Sequence, residues 1–173
     1  MLIGVAATLL AMGRTAICRC GHVALWHGEV RSDQNSQQLT DWYSFTHVVH
    51  GLIFYAVSRL ALKRWPVKAC LVVVVALEAA WEIAENTPMV IDRYRATTLA
   101  LGYTGDSVLN SLFDIGCMIA GFWLASRLPA AVSVMLVLAL EVGLALAIRD
   151  NLTLNLIALI APVGAISAWQ AGG

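Results

Sequence analysis

The side chains with the clearest chemical potential fall in three stretches. Residues 77–88, LEAAWEIAENTP, carry Glu78, Glu82 and Glu85 at i, i+4 and i+7. At about 100° per residue these positions share one helical face. Residues 41–51, DWYSFTHVVHG, carry His47 and His50 at i and i+3, with Ser44 one turn earlier. Residues 105–116, GDSVLNSLFDIG, carry Asp106, Asn110 and Asp114 at i, i+4 and i+8. Imidazoles beside carboxylates form a ligand set for zinc, iron or manganese, and Glu-bearing helix faces build such sites inside bundles. The same groups suit general acid–base catalysis, or the passage of protons or cations.

Each stretch adjoins an apolar run, so the elements that must position them are membrane helices. The chain has 173 residues, 60% of them hydrophobic and 13% charged, with a formal net charge of zero. Soluble domains carry about 25% charge. Mean hydropathy is +0.76. This composition predicts an all-α polytopic transmembrane bundle of five to six spans, a single membrane domain over residues 1–173. It offers no basic surface for nucleic acid, and its expected surroundings are membrane lipids. Spans are expected at 2–17, 44–62, 69–84, 106–125 and 131–148. A weak sixth segment, 152–169, is interrupted by Asn155, Pro162 and Gly164 and better fits an interfacial or tilted helix.

The short loop KRWPVK, residues 63–68, holds Lys63, Arg64 and Lys68, and Arg127 falls in the other loop on that side. Basic short loops face the cytoplasm. This predicts a bacterial inner-membrane protein with a cytoplasmic N-terminus and with residues 18–41 and 86–105 outside. Arg19, Arg31, Arg93 and Arg95 in the outer segments vote the other way. With this topology the polar stripes share a depth. His47 and His50 lie three and six residues from the outer end of their span, Asp114 eight, and Glu78 and Glu82 about six and two. At about 1.5 Å per residue all fall within roughly 12 Å of the outer surface.

Each feature also has a plain structural reading. The histidines could bond only loop carbonyls, Glu85 could be a solvated helix end, Asp106 an N-cap and Asn110 interhelical glue. Glu78 and Asp114 resist that reading. Apart from Arg59 at the inner end of the second span, no lysine or arginine occurs within the second, third or fourth span. Histidine, a metal or a shared proton remains to balance them. A weaker second cluster is CRCGH: Cys18, Cys20 and His22, with His27 nearby, could bind a soft metal, whereas an oxidising compartment would favour a disulfide. Cys70 and Cys117 lie in apolar runs and read as small core residues. Trp26, Trp42, Tyr43, Tyr94 and Tyr103 gather near outer span ends as an aromatic belt. Trp81 reads as packing, Glu141 as a partner for Arg149, and Arg149 as a contact for a phosphate or lipid head group.

Several of these motifs extend into longer signatures: LWHGEV, NSQQLTDWYSFTHVVHG, EAAWEIAENTP, DRYRATT, GDSVLNSLFDIGCMIAGF and IRDNLTLN. In them the chain resembles an uncharacterised bacterial multi-pass inner-membrane family, filed under a domain of unknown function. The resemblance covers nearly the whole chain and implies a plasma-membrane protein without an assigned activity. The order of a His-bearing, a Glu-bearing and a D…N…D…G span is also loosely similar to VanZ-like membrane proteins, which carries over no catalytic residues.

The residues point first to a metal-dependent membrane enzyme acting on a lipid or envelope substrate at the outer leaflet. His47, His50 and Asp114 would hold a divalent zinc, iron or manganese ion, with Glu78 and Glu82 as catalytic carboxylates and an activated water as nucleophile. Asp106, Asn110 and Glu85 are further candidates. A proton or metal-ion carrier or channel subunit is the alternative, and an assembly factor with a structural polar cluster is another. The topology has a direct check. Cysteines introduced at Ser36 and Thr97 should react with an impermeant thiol reagent from outside, and one at Ser126 should not; the reverse pattern overturns the orientation.

Overall fold

The structure, a computed structural model, describes residues 1–97 and 102–172. Among them are eight α-helices and no strand: α1 (Leu2–Ala11), α2 (Ser44–Ala61), α3 (Val67–Glu85), α4 (Pro88–Thr97), α5 (Val108–Ala125), α6 (Ala130–Ile148), α7 (Leu152–Ile160) and α8 (Gly164–Ala171). The all-helical class is therefore that read from the sequence. The span count is not. By length and composition two helices qualify to cross a membrane: α5, with mean hydropathy 1.6, and α6, with 2.5. Helices α2 and α3 have 18 and 19 residues. That is enough for about 27 Å, but their carboxylates, imidazoles and basic ends dilute the apolar character. Helix α1 ends at Ala11 rather than at residue 17. Ten residues rise about 15 Å, half the hydrocarbon thickness, so α1 alone does not carry Met1 to the far face. The final segment is two short helices, α7 and α8, of nine and eight residues.

The helix boundaries follow from local chemistry. Pro66 and Pro129 stand at the N-caps of α3 and α6, where their missing N–H costs nothing. Ser107 caps α5 by accepting from the Asn110 backbone N–H at 3.1 Å, and Asn151 caps α7 by accepting from Leu154 N–H at 2.8 Å. Pro88, which opens α4, ends α3 because the residue before a proline avoids the helical region.

The central packing is α2 against α5, with α3 and α1 beside them. Two glycines set how closely α2 and α5 approach. A Cβ at Gly51 would overlap the Met118 carbonyl oxygen, and one at Gly121 would overlap the Val48 carbonyl. Small residues of this kind let helix backbones touch. Around the contact lie buried Val5, Leu9, Cys70, Val74, Ala79, Ile115, Met118 and Phe122. Cys117 is only partly buried. Helix α6 is different, with 6% of its apolar window buried.

The long polar stretch 18–41 is not a free loop. Ser107 N–H donates to the Ser36 carbonyl at 3.0 Å, Ser107 Oγ to the Gln37 carbonyl at 3.0 Å, and Asn110 Nδ2 to the Gln38 carbonyl at 3.0 Å. Gln37 Nε2 donates to the Gly105 carbonyl at 2.7 Å. These bonds fasten the start of α5 to the segment before α2. They also bury Ser36, which would shield a label there; the exposed Asp33 is the better labelling position in this segment. The Thr97 side chain lies outside the described residues.

The glycine contact is testable. Gly51→Ala and Gly121→Ala should each lower the melting temperature in detergent, equivalent to about 1–3 kcal/mol of overpacking. Gly116→Ala, whose Cβ meets nothing within 4 Å, should not. Equal behaviour of all three would deny the close approach.

Candidate functional site

Because α2 and α3 run alongside α5, their polar stripes converge. His47 and Glu78 meet at 2.6 Å, Nδ1 to Oε1, and His50 Nδ1 lies 3.0 and 3.1 Å from the two Glu78 oxygens. Glu78, fully buried, is thus a clamp on two imidazoles. With Nδ1 of His47 engaged, Nε2 is its free nitrogen, and that atom lies 3.9 Å from Asp114 Oδ2. Asp114 Oδ1 accepts from Ser44 Oγ at 2.8 Å. A carboxylate that fixes a histidine through one nitrogen and leaves the other free is a common support for a metal-ligating imidazole.

Glu82 lies one turn beyond Glu78. Its Oε1 is 3.4 Å from His47 Nδ1. Glu82 is 0% exposed, and neither of its carboxylate oxygens has a hydrogen-bond partner. Leaving a buried charged group unpaired is costly, so such a group normally has an ion, a proton or a water against it. Ligand atoms of His47, Glu82 and Asp114 lie within 4.8 Å of one another, as do those of His47, His50 and Glu78 and those of Glu82, Glu85 and Asp106. The His/Glu/Asp groups could therefore hold a metal ion.

Glu85 is not a solvated helix end. It is buried, with a carboxylate oxygen within 4.8 Å of one on Asp106. Asp106 is not the N-cap of α5, a role that Ser107 fills. Its oxygens accept from Tyr103 OH at 2.9 Å and Asn86 Nδ2 at 2.8 Å, while its own N–H donates to Asn86 Oδ1 at 2.7 Å. The sequence NTP after Glu85 thus supplies a buried amide that holds the Asp106 turn. A cavity of about 60 Å³, room for a few waters, is lined by His47, His50, Glu85, Asp106 and Asp114 on its polar side and by Leu152, Leu156 and Leu159 of α7 on its apolar side.

Residues 9–172 match the family described as protein of unknown function (DUF2585). The chain belongs to this family. It is similar to a UPF0314 protein of Sphingopyxis alaskensis, 53% identical over 97% of this chain and 89% of the relative. UPF0314 proteins of Rhizobium meliloti and Novosphingobium aromaticivorans are 52% and 49% identical, over 93% and 99% of this chain and 82% and 89% of theirs. No solved structure matches. Family membership agrees with the resemblance carried by the motifs, and it brings no activity with it.

Among the expected site residues, the structure brings together His47, His50, Glu78, Glu82, Asp114, Glu85 and Asp106. Asn110 is elsewhere, bonded to the Gln38 carbonyl. Cys18 and Cys20 are joined in a disulfide, which removes the thiolates that a soft metal would need. His22 lies outside the three groups above. Tyr94 and Tyr103 pack edge to face at 5.7 Å and border the cavity, so they are not merely a belt. Trp81 meets the His50 ring edge-on at 6.3 Å and lines the same cavity. Glu141 does not pair with Arg149; it accepts from Leu152 N–H, Thr153 N–H and Thr153 Oγ1, capping α7. Arg149 donates to the Trp169 carbonyl.

Sequence reasoning missed Asn86 and Asp150. Asp150 is fully buried, accepting from Tyr43 OH at 2.9 Å, Asn151 N–H at 2.9 Å and Gln170 Nε2 at 3.1 Å. In this way it ties α8 to the start of α2. Burial pushes its carboxyl up to about 6. The folded state therefore holds this proton more tightly than the unfolded chain, and its contribution to stability falls as pH rises from about 4 to 6. The melting temperature of Asp150→Asn relative to wild type should rise across that window, with a total change on the order of 2–3 kcal/mol at most. A difference that stays flat from pH 4 to 7 would contradict the shift.

Proposed function

We propose that this family is a group of metal-dependent membrane enzymes, with His47, Glu82 and Asp114 holding a divalent ion. The observation that carries this reading is Glu82, whose two buried oxygens lack any hydrogen bond while its ligand atom lies near those of a histidine and an aspartate. Mixed imidazole and carboxylate donors suit zinc, iron or manganese. Such an ion supplies a Lewis acid for a carbonyl or phosphoryl oxygen. Glu78 would then be a positioning residue, holding His47 with Nε2 toward the ion, and not a ligand. His50 borders the cavity and is placed to take or return a proton. The α7 leucines and Trp81 offer an apolar wall, which suits the hydrocarbon of a lipid or lipid-linked envelope substrate.

In the same reading the chain is one inner-membrane domain in which α2, α3, α5 and α6 cross. The basic loops at Lys63, Arg64, Lys68 and Arg127 face the cytoplasm, and the site sits in the outer half. The exposed apolar sides of α6, including Val134, Met135, Leu138 and Leu146, are supported by lipid. A carrier needs a second polar half-path. Beyond the site, the inner parts of α2 and α5 hold one charged side chain, Arg59, which bonds the Trp65 carbonyl. That favours a one-sided pocket over a carrier.

The test is metal content of the full chain purified in detergent without chelator and loaded with zinc or manganese. Wild type should retain at least one ion per chain, and Glu82→Gln and Asp114→Asn less than a tenth of that. Glu78→Gln should keep the ion at roughly 10–100-fold weaker affinity. A wild-type protein as empty as Glu82→Gln would overturn the proposal.

A further inference from the structure

Beyond His47, Glu82 and Asp114 lies a second group whose ligand atoms also approach within 4.8 Å, Glu82, Glu85 and Asp106. Glu82 belongs to both groups. It has two carboxylate oxygens, both buried and both without a hydrogen bond, enough for a carboxylate to serve both groups. The other two members are already oriented. Tyr103 OH and Asn86 Nδ2 each hold one oxygen of Asp106, and a Glu85 oxygen lies within 4.8 Å of an Asp106 oxygen. Two buried carboxyl groups this close need a proton or a cation to balance them.

Charge points the same way. The three overlapping groups contain five carboxylates and two imidazoles. His47 must be neutral to ligate a metal. With all five carboxylates ionised and His50 protonated, four negative charges would remain, to be balanced by protons or by cations. One divalent ion leaves two of them, and two divalent ions match them.

We infer that the site is dinuclear, with Glu82 bridging an ion held by His47 and Asp114 and a second ion held by Glu85 and Asp106. The inference rests on the metal-site reading above, and adds a position that uses oxygen donors alone. All-oxygen sets select hard cations such as manganese or magnesium. Glu85 and Asp106 both border the cavity, so the second ion faces the space where a substrate would enter. Paired ions about 3.5–4 Å apart clamp the attacking and leaving oxygens of a displacement at phosphorus or an acyl carbon. This makes a phosphoryl or acyl ester of an amphiphile the substrate class.

The experiment is Mn²⁺ binding to the full chain in detergent, read as stoichiometry by equilibrium dialysis and as exchange coupling by electron paramagnetic resonance, with circular dichroism and thermal melts confirming that each variant folds. Wild type should bind two ions and show a coupled pair signal. Glu85→Gln and Asp106→Asn should each bind one ion, with the six-line spectrum of an isolated ion. Asp114→Asn should lose the other ion, and Glu82→Gln should lose both. One ion in wild type that survives Glu85→Gln and Asp106→Asn overturns the second position and leaves the first standing. One ion that every variant loses means a single ion shared by all the groups, which also overturns the pair. No ion in wild type overturns both readings.

Discussion

A carboxylate shut away from water with neither oxygen hydrogen-bonded is the constraint on which the rest of this structure depends. Glu82 occupies that position, and its neighbours are arranged around its charge. Glu78 could have been a second problem of the same kind. It is instead satisfied by two imidazole nitrogens, His47 Nδ1 and His50 Nδ1. The two glutamates are one helical turn apart on α3 and face the same direction, yet one is fully bonded and the other is not. Their difference comes from α2, which presents its histidines at the level of Glu78. A buried carboxyl left without a hydrogen bond is weak as a stability device, since an apolar residue of similar size would serve at least as well. Its chemistry explains it better than its packing does.

Holding such charges together needs rigid support, and the support is backbone contact. Gly51 and Gly121 bring α2 and α5 close enough that a methyl group on either would meet a carbonyl. That approach sets where Ser44 and His47 stand relative to Asp114. The polar segment at 34–41 completes the frame from above. Its buried glutamines and serine bond the turn that leads into α5, while Asp41 accepts from the Ser36 and Tyr43 backbone N–H groups at 2.8 Å each. Burial raises the Asp41 carboxyl and those two N–H bonds oppose the rise. A segment that reads as a hydrophilic loop is thus packed as firmly as a helix, because its polar groups find backbone partners instead of water.

Helices α4 and α7 contribute to the cavity wall. Both are short, with Asn151 and Glu141 supplying the capping groups of α7 and Arg93 of α4 donating to the Leu159 carbonyl. Helix α7 turns leucines toward the cavity, so a polar floor faces an apolar wall.

The periodicity of the sequence determined which residues share a face: Glu78 with Glu82 and Glu85, His47 with His50, and Asp106 with Asp114. This follows from the 3.6-residue turn, which operates before any tertiary contact exists. The apolar composition likewise determined an all-helical chain. What the sequence did not determine was contact between faces. Asn110 lies on the same stripe as Asp114, yet it bonds a loop carbonyl, since the stripe is longer than the site and its upper end meets the 34–41 segment. Asp106 and Glu85, which locally read as a cap and a helix end, are drawn inward by Asn86 and Tyr103, residues from other turns of the chain. Fewer of the described helices are long and apolar enough to cross a membrane than the five to six spans expected. Hydropathy summed along 2–17 is blind to where the backbone turns, after Ala11, and the polar residues of α2 and α3 dilute their apolar character. The break at Pro162 was legible in the sequence. Only the tertiary structure decided which oxygens of the acidic stripe found donors and which, the two buried oxygens of Glu82 among them, did not.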